Sequence, residues 1–337
     1  MRSDLATLLV VSAGAFVVST LTALLVIKCA GRLRLMDIPN DRSSHLRPTP
    51  RGGGLGIVAA TIGGVIVLNA AGVESAAPFL RPLVFGGGAI AAISLVDDIR
   101  GVAPVVRLLC HFIVAIATVM AIGTINGLAS SAVAVVWIVG MINAFNFMDG
   151  IDGLAGLQAV AAASFWVVLG SLMEWPQLVA LGMVLGSSCL GFLVHNWPPA
   201  KVFLGDVGSA FLGFVLSLFV IVAAGRSTTL AVAGVVLVWP FVFDTTATII
   251  RRSLRREDLT TAHRSHIYQR LVATGMGHSA VTRWYGLLAL LAGVSGLLLA
   301  SRLLWGYAVA VIYIVGTAVL LLTAVRSREA KQKCENE

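Results

Sequence analysis

Charged residues are scarce in this sequence. Of its 337 residues, 12% are Asp, Glu, Lys or Arg and 58% are hydrophobic, whereas soluble domains carry about 25% charged residues. This composition excludes a soluble globular enzyme and a disordered chain. Cysteine is scarce as well, and the four cysteines have neither metal-site spacing nor the pattern of a secreted disulfide-rich domain. We therefore expect no disulfide.

Long apolar runs are present instead. Runs of about 17–25 residues, which is the length that a helix needs to cross a bilayer, recur along most of the chain. We predict an all-α, polytopic integral membrane protein of about eleven transmembrane helices, with ten as the alternative, folded as one domain over residues 1–337. The predicted helices lie near residues 5–28, 54–71, 80–96, 104–122, 130–146, 154–172, 177–194, 207–224, 229–250, 283–299 and 303–324.

The basic residues indicate the orientation of these helices. All but four of the 24 Lys and Arg fall after odd-numbered helices or in the C-terminal tail, and basic loops stay in the cytoplasm. We therefore predict an outside N-terminus, a cytoplasmic C-terminus and cytoplasmic segments near residues 29–53, 97–103, 147–153, 195–206, 251–282 and 325–337. These loops account for the net charge of +8, so no nucleic-acid partner is predicted.

Two carboxylate motifs lie at predicted cytoplasmic helix ends. Asp97 and Asp98 end the third helix, and a charge at the bilayer centre costs about 2.5–3.5 kcal/mol. The pair therefore marks the interface, either beside a cation or as a plain solvated helix end. Asp206 lies between two glycines at the start of an apolar helix, where it can reach a metal or simply cap the helix.

A third motif follows the fifth helix. Asn143, Asn146, Asp149 and Asp152 recur every three residues, so on a helix they form a spiral stripe. Their oxygen atoms suit a hard cation such as Mg²⁺. Lipid-facing packing does not explain four such residues, and we predict a ligand site here.

Two loops add glycine and polar groups. The first cytoplasmic loop contains Asp37 and the run Arg51-Gly52-Gly53-Gly54, and another loop contains Asn196. Glycines allow a ligand to approach the backbone, and a helix start favours anions. The alternative for the first loop is an ordinary basic loop that leads into a glycine-rich helix.

The last candidates lie after the ninth helix. Asp244 is an intramembrane carboxylate, which is a functional candidate by default or else a buried pairing residue. On a helix, His263, His266 and Arg270 would fall within about 60° of one another and could donate hydrogen bonds to phosphate. A zinc site is the alternative, but no third soft ligand is spaced nearby. His111 is interpreted as a packing residue.

Together these residues resemble a known family, the polyprenyl-phosphate N-acetylhexosamine-1-phosphate transferases. The resemblance extends from Asp37 to Arg270, and its motifs are SSHLRPTPRGGG, NAFNFMDGIDGLAG, PAKVFLGDVGS and HRSHIYQRL. These runs look most like the branch that starts O-antigen synthesis. The phospho-MurNAc-pentapeptide translocase branch would have a triple histidine, which is absent here.

The resemblance implies the roles of the residues. Asn146 and Asp206 would bind Mg²⁺, for which Mn²⁺ can substitute. Asp97, Asp98, Asp152 and His263 would form the catalytic set. Substrate would contact Asp37, Arg51, Gly52, Gly53, Arg107, Asn143, Asp149, Asn196, Asp244, His266 and Arg270.

The resemblance also implies a reaction. A bacterial inner-membrane enzyme, with its site on the cytoplasmic face, would transfer N-acetylhexosamine-1-phosphate from a UDP-sugar to undecaprenyl phosphate and release UMP. This would be the first membrane step in the synthesis of O-antigen or another cell-envelope polysaccharide. The identity of the sugar, the pathway and the formation of a homodimer are left open.

The main alternative is a transporter or lipid flippase, which would need broken helices and an inverted repeat; neither is evident in the sequence. A CDP-alcohol phosphotransferase would need an Asp-Gly-Ala-Arg pattern, which is missing.

Overall fold

The protein is almost entirely helical. The structure, a computed structural model of the chain, describes residues 2–39, 48–73, 76–123, 125, 127–258, 261, 263–301 and 304–336. The helices are α1 (Arg2–Leu33), α2 (Leu55–Ala70), α3 (Ala77–Arg81), α4 (Gly88–Arg100), α5 (Pro104–Ile122), α6 (Leu128–Met148), α7 (Leu154–Leu172), α8 (Pro176–Asn196), α9 (Gly205–Ala224), α10 (Thr228–Leu237), α11 (Trp239–Leu254), α12 (Ile267–Ala273), α13 (His278–Ala300) and α14 (Leu304–Asn336). A π-helical turn, Pro82–Gly87, joins α3 to α4.

Within the described residues, nine helical segments are long and apolar enough to cross a membrane. The consecutive helices α10 and α11 together form a tenth segment, and α2 is a shorter apolar helix of 16 residues. The prediction of an all-α polytopic membrane protein is confirmed. The number of candidate membrane-spanning segments is nine or ten in the described residues, and it reaches eleven only if the shorter helix α2 is included.

One of these segments is bent. The axes of α10 and α11 differ by 74°, and Pro240 lies in the first turn of α11. Proline has no backbone N–H to donate and its ring clashes with the preceding turn, so it interrupts or kinks a helix. The expectation of an unbroken helix over 229–250 is therefore wrong.

The centre of the molecule is α9. Within its most apolar stretch 89% of the residues are buried, compared with 28% in α1, α5 and α14. The helices α4, α6 and α10 pack around α9. Large apolar side chains on the outer helices, such as Leu25, Ile113 and Ile312, are exposed, as expected for side chains that face lipid.

A short antiparallel pair of strands lies between α1 and α2. Strand β1 (Met36–Asp37) pairs with β2 (Thr49–Pro50), so that Asp37 lies opposite Thr49. Residues 40–47 of the predicted first cytoplasmic loop lie outside the described residues. After β2 the chain runs beside residues 203–204, because the amides of Gly53 and Gly54 donate to the carbonyls of Phe203 and Leu204 at 2.9 Å.

Two motifs that were expected to lie on single helices lie partly in loops. Helix α6 ends at Met148, so Asp149 and Asp152 lie in the turn after it and do not continue a helical stripe. Helix α12 begins at Ile267, so His263 precedes the helix that carries Arg270. Both motifs therefore depend on loop geometry to bring their side chains together.

Candidate active site

Three side chains meet at the start of α9. Nη1 of Arg107, from the first turn of α5, donates to Asp206 Oδ2 at 2.8 Å and also contacts Asp97 Oδ2. The other oxygen of Asp97 accepts the backbone N–H of Val102 at 2.6 Å. Arg107 therefore joins the end of α4 to the start of α9, and it brings together three residues that the sequence predicts to act in one site.

Asn146 joins the same group from the last turn of α6. Its Nδ2 donates to Asp206 Oδ1 at 2.9 Å and lies 3.3 Å from Ser209 Oγ. The two residues that the family resemblance assigns to a metal are therefore neighbours. Ser209 was quoted in a motif but was not predicted as a site residue.

Asp98 caps α9. Its Oδ1 accepts the backbone N–H of Asp206 at 3.2 Å, and its Oδ2 accepts that of Val207 at 3.1 Å. These amides have no partner within the helix, and a carboxylate is favourable at the positive end of the helix dipole. Asp206 makes its side-chain contacts elsewhere. The alternative interpretation of Asp206 as the cap is therefore wrong, because Asp98 from α4 fills that position.

The glycine-rich loop packs directly against this helix start. A Cβ on Gly54 would lie 2.2 Å from the Cα of Gly208, and one on Gly205 would lie 2.8 Å from the amide nitrogen of Gly52. Gly205 also has φ of +75°, a conformation that side chains disfavour. Nη2 of Arg51 contacts the main-chain carbonyl of Asp98. In this structure the glycines of the loop allow close contact between two backbones.

The charges at this centre do not balance. The carboxylates are Asp97, Asp98, Asp149 and Asp206, while the nearby cations are Arg51 and Arg107. Burial, reinforced by the charges of Asp206, Asp98 and Asp152, raises the pKa of Asp149 well above its usual range. A bound cation would favour the charged forms of these four carboxylates, which only two arginines neutralise in part.

The donor set fits a magnesium ion better than zinc. In the described part of the chain no group of three or more His, Cys, Asp or Glu side chains could hold one metal ion. This finding supports neither a zinc site nor a magnesium site that is built from three or more such side chains. Mg²⁺ instead binds through one or two carboxylates together with substrate phosphates and water. Asp206 supplies a carboxylate, and Asn146 supplies an amide oxygen once its side-chain amide is turned over.

Asp152 and Asn196 stabilise neighbouring loops. Asp152 Oδ2 accepts the amide of Ala200 at 3.0 Å, and its Oδ1 lies 3.4 Å from Nδ1 of His278. Asn196 is buried; its Oδ1 accepts the amide of Gly153 and its Nδ2 donates to the carbonyl of Val202, both at 2.9 Å. Both side chains hold the loop after α8 against the turn before α7, and their contact with substrate stays a prediction.

Asp244 is fully buried and holds the start of α12. Its oxygens accept the backbone amides of Ile267 at 2.7 Å and Tyr268 at 3.0 Å. Its Oδ2 also accepts the hydroxyl of Tyr285 at 2.6 Å. These contacts match the pairing alternative for Asp244. Tyr268 then donates to the carbonyl of Phe147 at 2.9 Å, which ties α12 to the end of α6.

The two histidines lie beside this connection. The rings of His263 and His266 are 5.1 Å apart, and His266 stacks on Phe147 at 5.7 Å. Burial, helped by the neighbouring His266 and Arg252, lowers the pKa of His263 to about 4. His263 is therefore neutral at neutral pH in this structure, and its ring can donate a hydrogen bond to phosphate.

Three further predicted residues have other surroundings. Arg270 forms a two-point ion pair with Glu329 of α14. Asn143 donates to the carbonyl of Val139 one turn earlier in α6. His111 is buried, and neither of its ring nitrogens has a hydrogen-bond partner among the described residues. It is therefore a packing residue whose hydrogen-bonding groups are unpaired there.

Several contacts could not be found from the sequence motifs. Tyr268 belongs to the motif HRSHIYQRL, but the motif assigns it no role. Tyr285 and Glu329 lie outside every motif. Only their three-dimensional neighbours reveal them.

The comparisons with known proteins identify the family. The family model described as glycosyl transferase family 4 matches residues 80–224, which include Asp97, Arg107, Asn146 and Asp206. The "probable undecaprenyl-phosphate N-acetylglucosaminyl 1-phosphate transferase" of Bacillus subtilis is 31% identical over 310 residues, which cover 86% of each chain. The chain belongs to the polyprenyl-phosphate sugar-1-phosphate transferase family. The family prediction made from the motifs is thus confirmed.

Two other relatives of this transferase show how the similarity is spread. The decaprenyl-phosphate N-acetylglucosaminephosphotransferase of Mycobacterium tuberculosis is 28% identical over 307 residues, 77% of this chain and 75% of the relative. A phospho-N-acetylmuramoyl-pentapeptide-transferase of Moorella thermoacetica is 30% identical over 145 residues, 41% of this chain and 44% of the relative. The names of the Bacillus subtilis and Mycobacterium tuberculosis relatives, which align over more than 300 residues, both contain N-acetylglucosamine.

Proposed function

We propose that this transferase moves N-acetylglucosamine-1-phosphate from UDP-N-acetylglucosamine to undecaprenyl phosphate. The observation that carries the proposal is the cluster of Asp97, Arg107, Asn146 and Asp206 at the start of α9, in a chain of this family. The names of the long-aligned relatives support N-acetylglucosamine as the sugar and a polyprenyl phosphate as the acceptor.

The proposed reaction is a single phosphoryl transfer. An oxygen of the lipid phosphate attacks the phosphorus that carries the sugar. The bond from that phosphorus to the bridging oxygen breaks, UMP leaves with the electron pair, and a lipid-linked diphosphate sugar remains. Catalysis of this type depends mainly on positioning and on neutralising the negative charge of the phosphates.

Magnesium is the proposed cofactor, with Asp206 and Asn146 as its protein ligands. When bound, it would neutralise phosphate charge and polarise the reacting phosphoryl group. The excess of carboxylates around Asp206 supports this assignment, and so does the choice of oxygen donors. Manganese, which accepts similar ligands, would substitute.

Arg107 is the proposed contact of the lipid phosphate. One of its terminal nitrogens contacts Asp97 and Asp206, and a guanidinium group has five N–H donors. Both oxygens of Asp97 already accept hydrogen bonds. A phosphate monoester has a second pKa of about 6, so the acceptor is mostly deprotonated at neutral pH. We therefore assign Asp97 to positioning and not to removing a proton.

The diphosphate of the sugar nucleotide would lie towards α12. Neutral His263 supplies a hydrogen-bond donor, His266 stacks beside Phe147, and Arg270 supplies a cation. The connection from Tyr268 to Phe147 fixes these groups relative to the turn that carries Asp149. This arrangement supports the predicted substrate contacts of His263, His266 and Arg270.

The isoprenoid chain has a suitable apolar surface beside the site. A cavity of about 340 Å³ lies between α6 and α11, and Val133, Trp137, Phe147, Val242 and Ile249 are among the residues that line it. Asn143, Thr245 and Thr246 are polar residues that also line it. A lipid entering from the bilayer along this cavity would bring its phosphate to the end of α6, next to Asn146.

The cellular setting follows from the same proposal. The basic loops support a site on the cytoplasmic face of the bacterial inner membrane, where UDP-sugars are available. The product would start a cell-envelope polysaccharide, and O-antigen is the pathway that the motifs resemble. A homodimer stays a prediction. The alternative of a transporter has one feature in its favour, which is the bend between α10 and α11.

UMP release tests this function. The purified protein in detergent should release UMP from UDP-N-acetylglucosamine only when undecaprenyl phosphate and Mg²⁺ are both present, and the labelled sugar should move into the lipid fraction. A panel of UDP-sugars then identifies the donor. If UMP release does not depend on the lipid, or if the labelled sugar stays out of the lipid, the proposal fails.

A further inference from the structure

Arg270 and Glu329 form a side-on pair between two helices. Nε of Arg270 donates to Oε1 of Glu329 at 2.8 Å, and its Nη2 donates to Oε2 at 2.7 Å. The arginine is in the last turn of α12 and the glutamate is near the end of α14. Two parallel hydrogen bonds fix the plane of the guanidinium group as well as its position.

This pairing leaves one edge of the arginine unused. A guanidinium group carries five N–H bonds, and Glu329 accepts two of them. Among the described residues no second carboxylate pairs with Arg270. The remaining N–H bonds, on Nη1 and on the far side of Nη2, form an edge of the kind that binds phosphate oxygens. Glu329 thus orients Arg270 without filling its anion-binding edge.

The surroundings of Glu329 explain why Arg270 needs an orienting group. The guanidinium groups of Arg251 and Arg255 also interact with Glu329, and Arg251 interacts unfavourably with Arg270. Glu257 offsets part of the charge on Arg251. Without Glu329, repulsion from Arg251 would favour conformations in which Arg270 turns away.

Helix α14 can reach this position because it is longer than a membrane span. Its 33 residues extend about 50 Å, whereas the bilayer core is about 30 Å thick. The extra turns carry Glu329 and Gln332, and Nε2 of Gln332 lies 3.4 Å from the carbonyl of Ala273. Helix α12 is therefore held by Asp244 at its start and by α14 at its end.

We propose that Glu329 is a positioning residue for substrate binding. It holds Arg270 so that its unused edge faces the diphosphate of the sugar nucleotide. This inference rests on the proposed function, because that function supplies the diphosphate. It assigns a role in the site to the end of α14, which is 59 residues away in sequence from Arg270.

A double-mutant cycle tests the proposal. The variants are Glu329→Gln, Arg270→Gln and the two combined, and Arg328→Gln on the exposed side of α14 is the matched control. We expect Glu329→Gln to raise KM for the UDP-sugar about tenfold, as for loss of a charge-assisted hydrogen bond, with a smaller change in kcat. In the Arg270→Gln background the same change should have no further effect, and Arg328→Gln should keep the wild-type KM.

A binding measurement separates this inference from the proposed function. Inorganic pyrophosphate should raise Tm of the wild-type protein, and a higher concentration should be needed for the same rise in Glu329→Gln. This readout does not require turnover, so it supports the inference even if no UDP-sugar is a substrate. Equal pyrophosphate binding in wild type and variant, or none in the wild type, would overturn the role of Glu329. Additive effects of the two substitutions on KM, or a loss of Tm with unchanged KM, would reduce Glu329 to a stabilising contact.

Discussion

The side chains of two aspartates, Asp98 of α4 and Asp206 of α9, meet at the start of α9 but have different hydrogen-bond partners. Asp98 is 3% exposed, and both of its oxygens accept backbone amides of the helix. The side chain of Asp206 is 34% exposed, and its oxygens contact the side chains of Arg107 and Asn146. The helix cap and the candidate metal ligand are therefore different residues, and each can be tested without disturbing the other.

Asp206→Asn is the decisive substitution at the residue scale. Asparagine keeps the size of aspartate but removes the negative charge, while the cap of α9 remains with Asp98. We expect kcat of UMP release to fall on the order of 10²–10³-fold, the typical loss for a contact made in the transition state. Tm should stay at the wild-type value, because no helix amide loses its partner. Kinetics in Mg²⁺ and a thermal melt of the same preparation measure both.

A control separates this effect from a general loss of negative charge. Glu174 is exposed in the turn between α7 and α8, which the basic residues predict to lie on the opposite face of the membrane from the candidate site. We therefore expect Glu174→Gln to retain wild-type kcat and Tm. If Asp206→Asn stays within a few-fold of wild-type activity, Asp206 does not bind the metal.

At the scale of elements, α12 depends on a carboxylate from another helix. Asp244 of α11 accepts two amides of α12 and the hydroxyl of Tyr285 from α13. A helix of seven residues is too short to be stable by itself in water. These contacts therefore decide whether α12, and with it His266 and Arg270, has a fixed position.

Asp244→Asn should loosen α12. Asparagine has only one acceptor oxygen, so at least one buried donor loses its partner, at a cost of about 1–3 kcal/mol. We expect a lower Tm and faster hydrogen exchange at the amides of residues 267–273, together with a raised KM for the UDP-sugar. Hydrogen exchange followed by mass spectrometry measures the change in α12 directly.

Tyr285→Phe is the matched variant for this contact. It removes one donor to Asp244 and leaves both helix amides paired, so its effect on exchange in α12 should be smaller than that of Asp244→Asn. A variant Asp244→Asn with unchanged exchange and Tm but strongly reduced activity would instead show that Asp244 contacts substrate.

Local sequence patterns predicted the elements whose signals are local. The apolar run after Gly205 predicted α9, with Asp206 at its start. The partner that caps this helix, Asp98, is more than a hundred residues earlier, and no local pattern connects the two. The start of α12 at Ile267 was missed for the same reason, because it depends on Asp244. The bend at Val238 was missed because Trp239-Pro240 lies inside an otherwise apolar run. Fold class and family were thus predictable from local patterns and motifs, while the contacts between distant helices were not. The roles of the candidate site residues stay predictions.

At the scale of the whole molecule, contacts between loops divide the structure into two ends. Arg226, after α9, lies over the ring of Trp175, before α8, at 4.7 Å, so these two turns are at the same end. At the other end the loops that carry Gly53 and Phe203 are hydrogen-bonded to each other, and Tyr268 is bonded to Phe147. This grouping is the one that the basic residues predict, and it leaves open only which end faces the cytoplasm.

Reporter fusions answer that question and also test the bent helix pair. Fusions after Trp175 and Arg226 should read outside, and fusions after Lys201 and Glu257 should read cytoplasmic, because the second end carries most of the basic residues. Alkaline phosphatase and green fluorescent protein at each position give opposite signals and serve as internal controls.

If every fusion reports the reverse orientation, the candidate active site faces outward and cannot use cytoplasmic UDP-sugars. If Arg226 and Glu257 read the same side, α10 and α11 form a re-entrant pair and do not cross. Asp244, in the second turn of α11, accepts a hydrogen bond from the first amide of α12, and Tyr268 of α12 donates to the end of α6. The chain has therefore already reached the end of the molecule that carries the candidate site, so we expect the pair to cross.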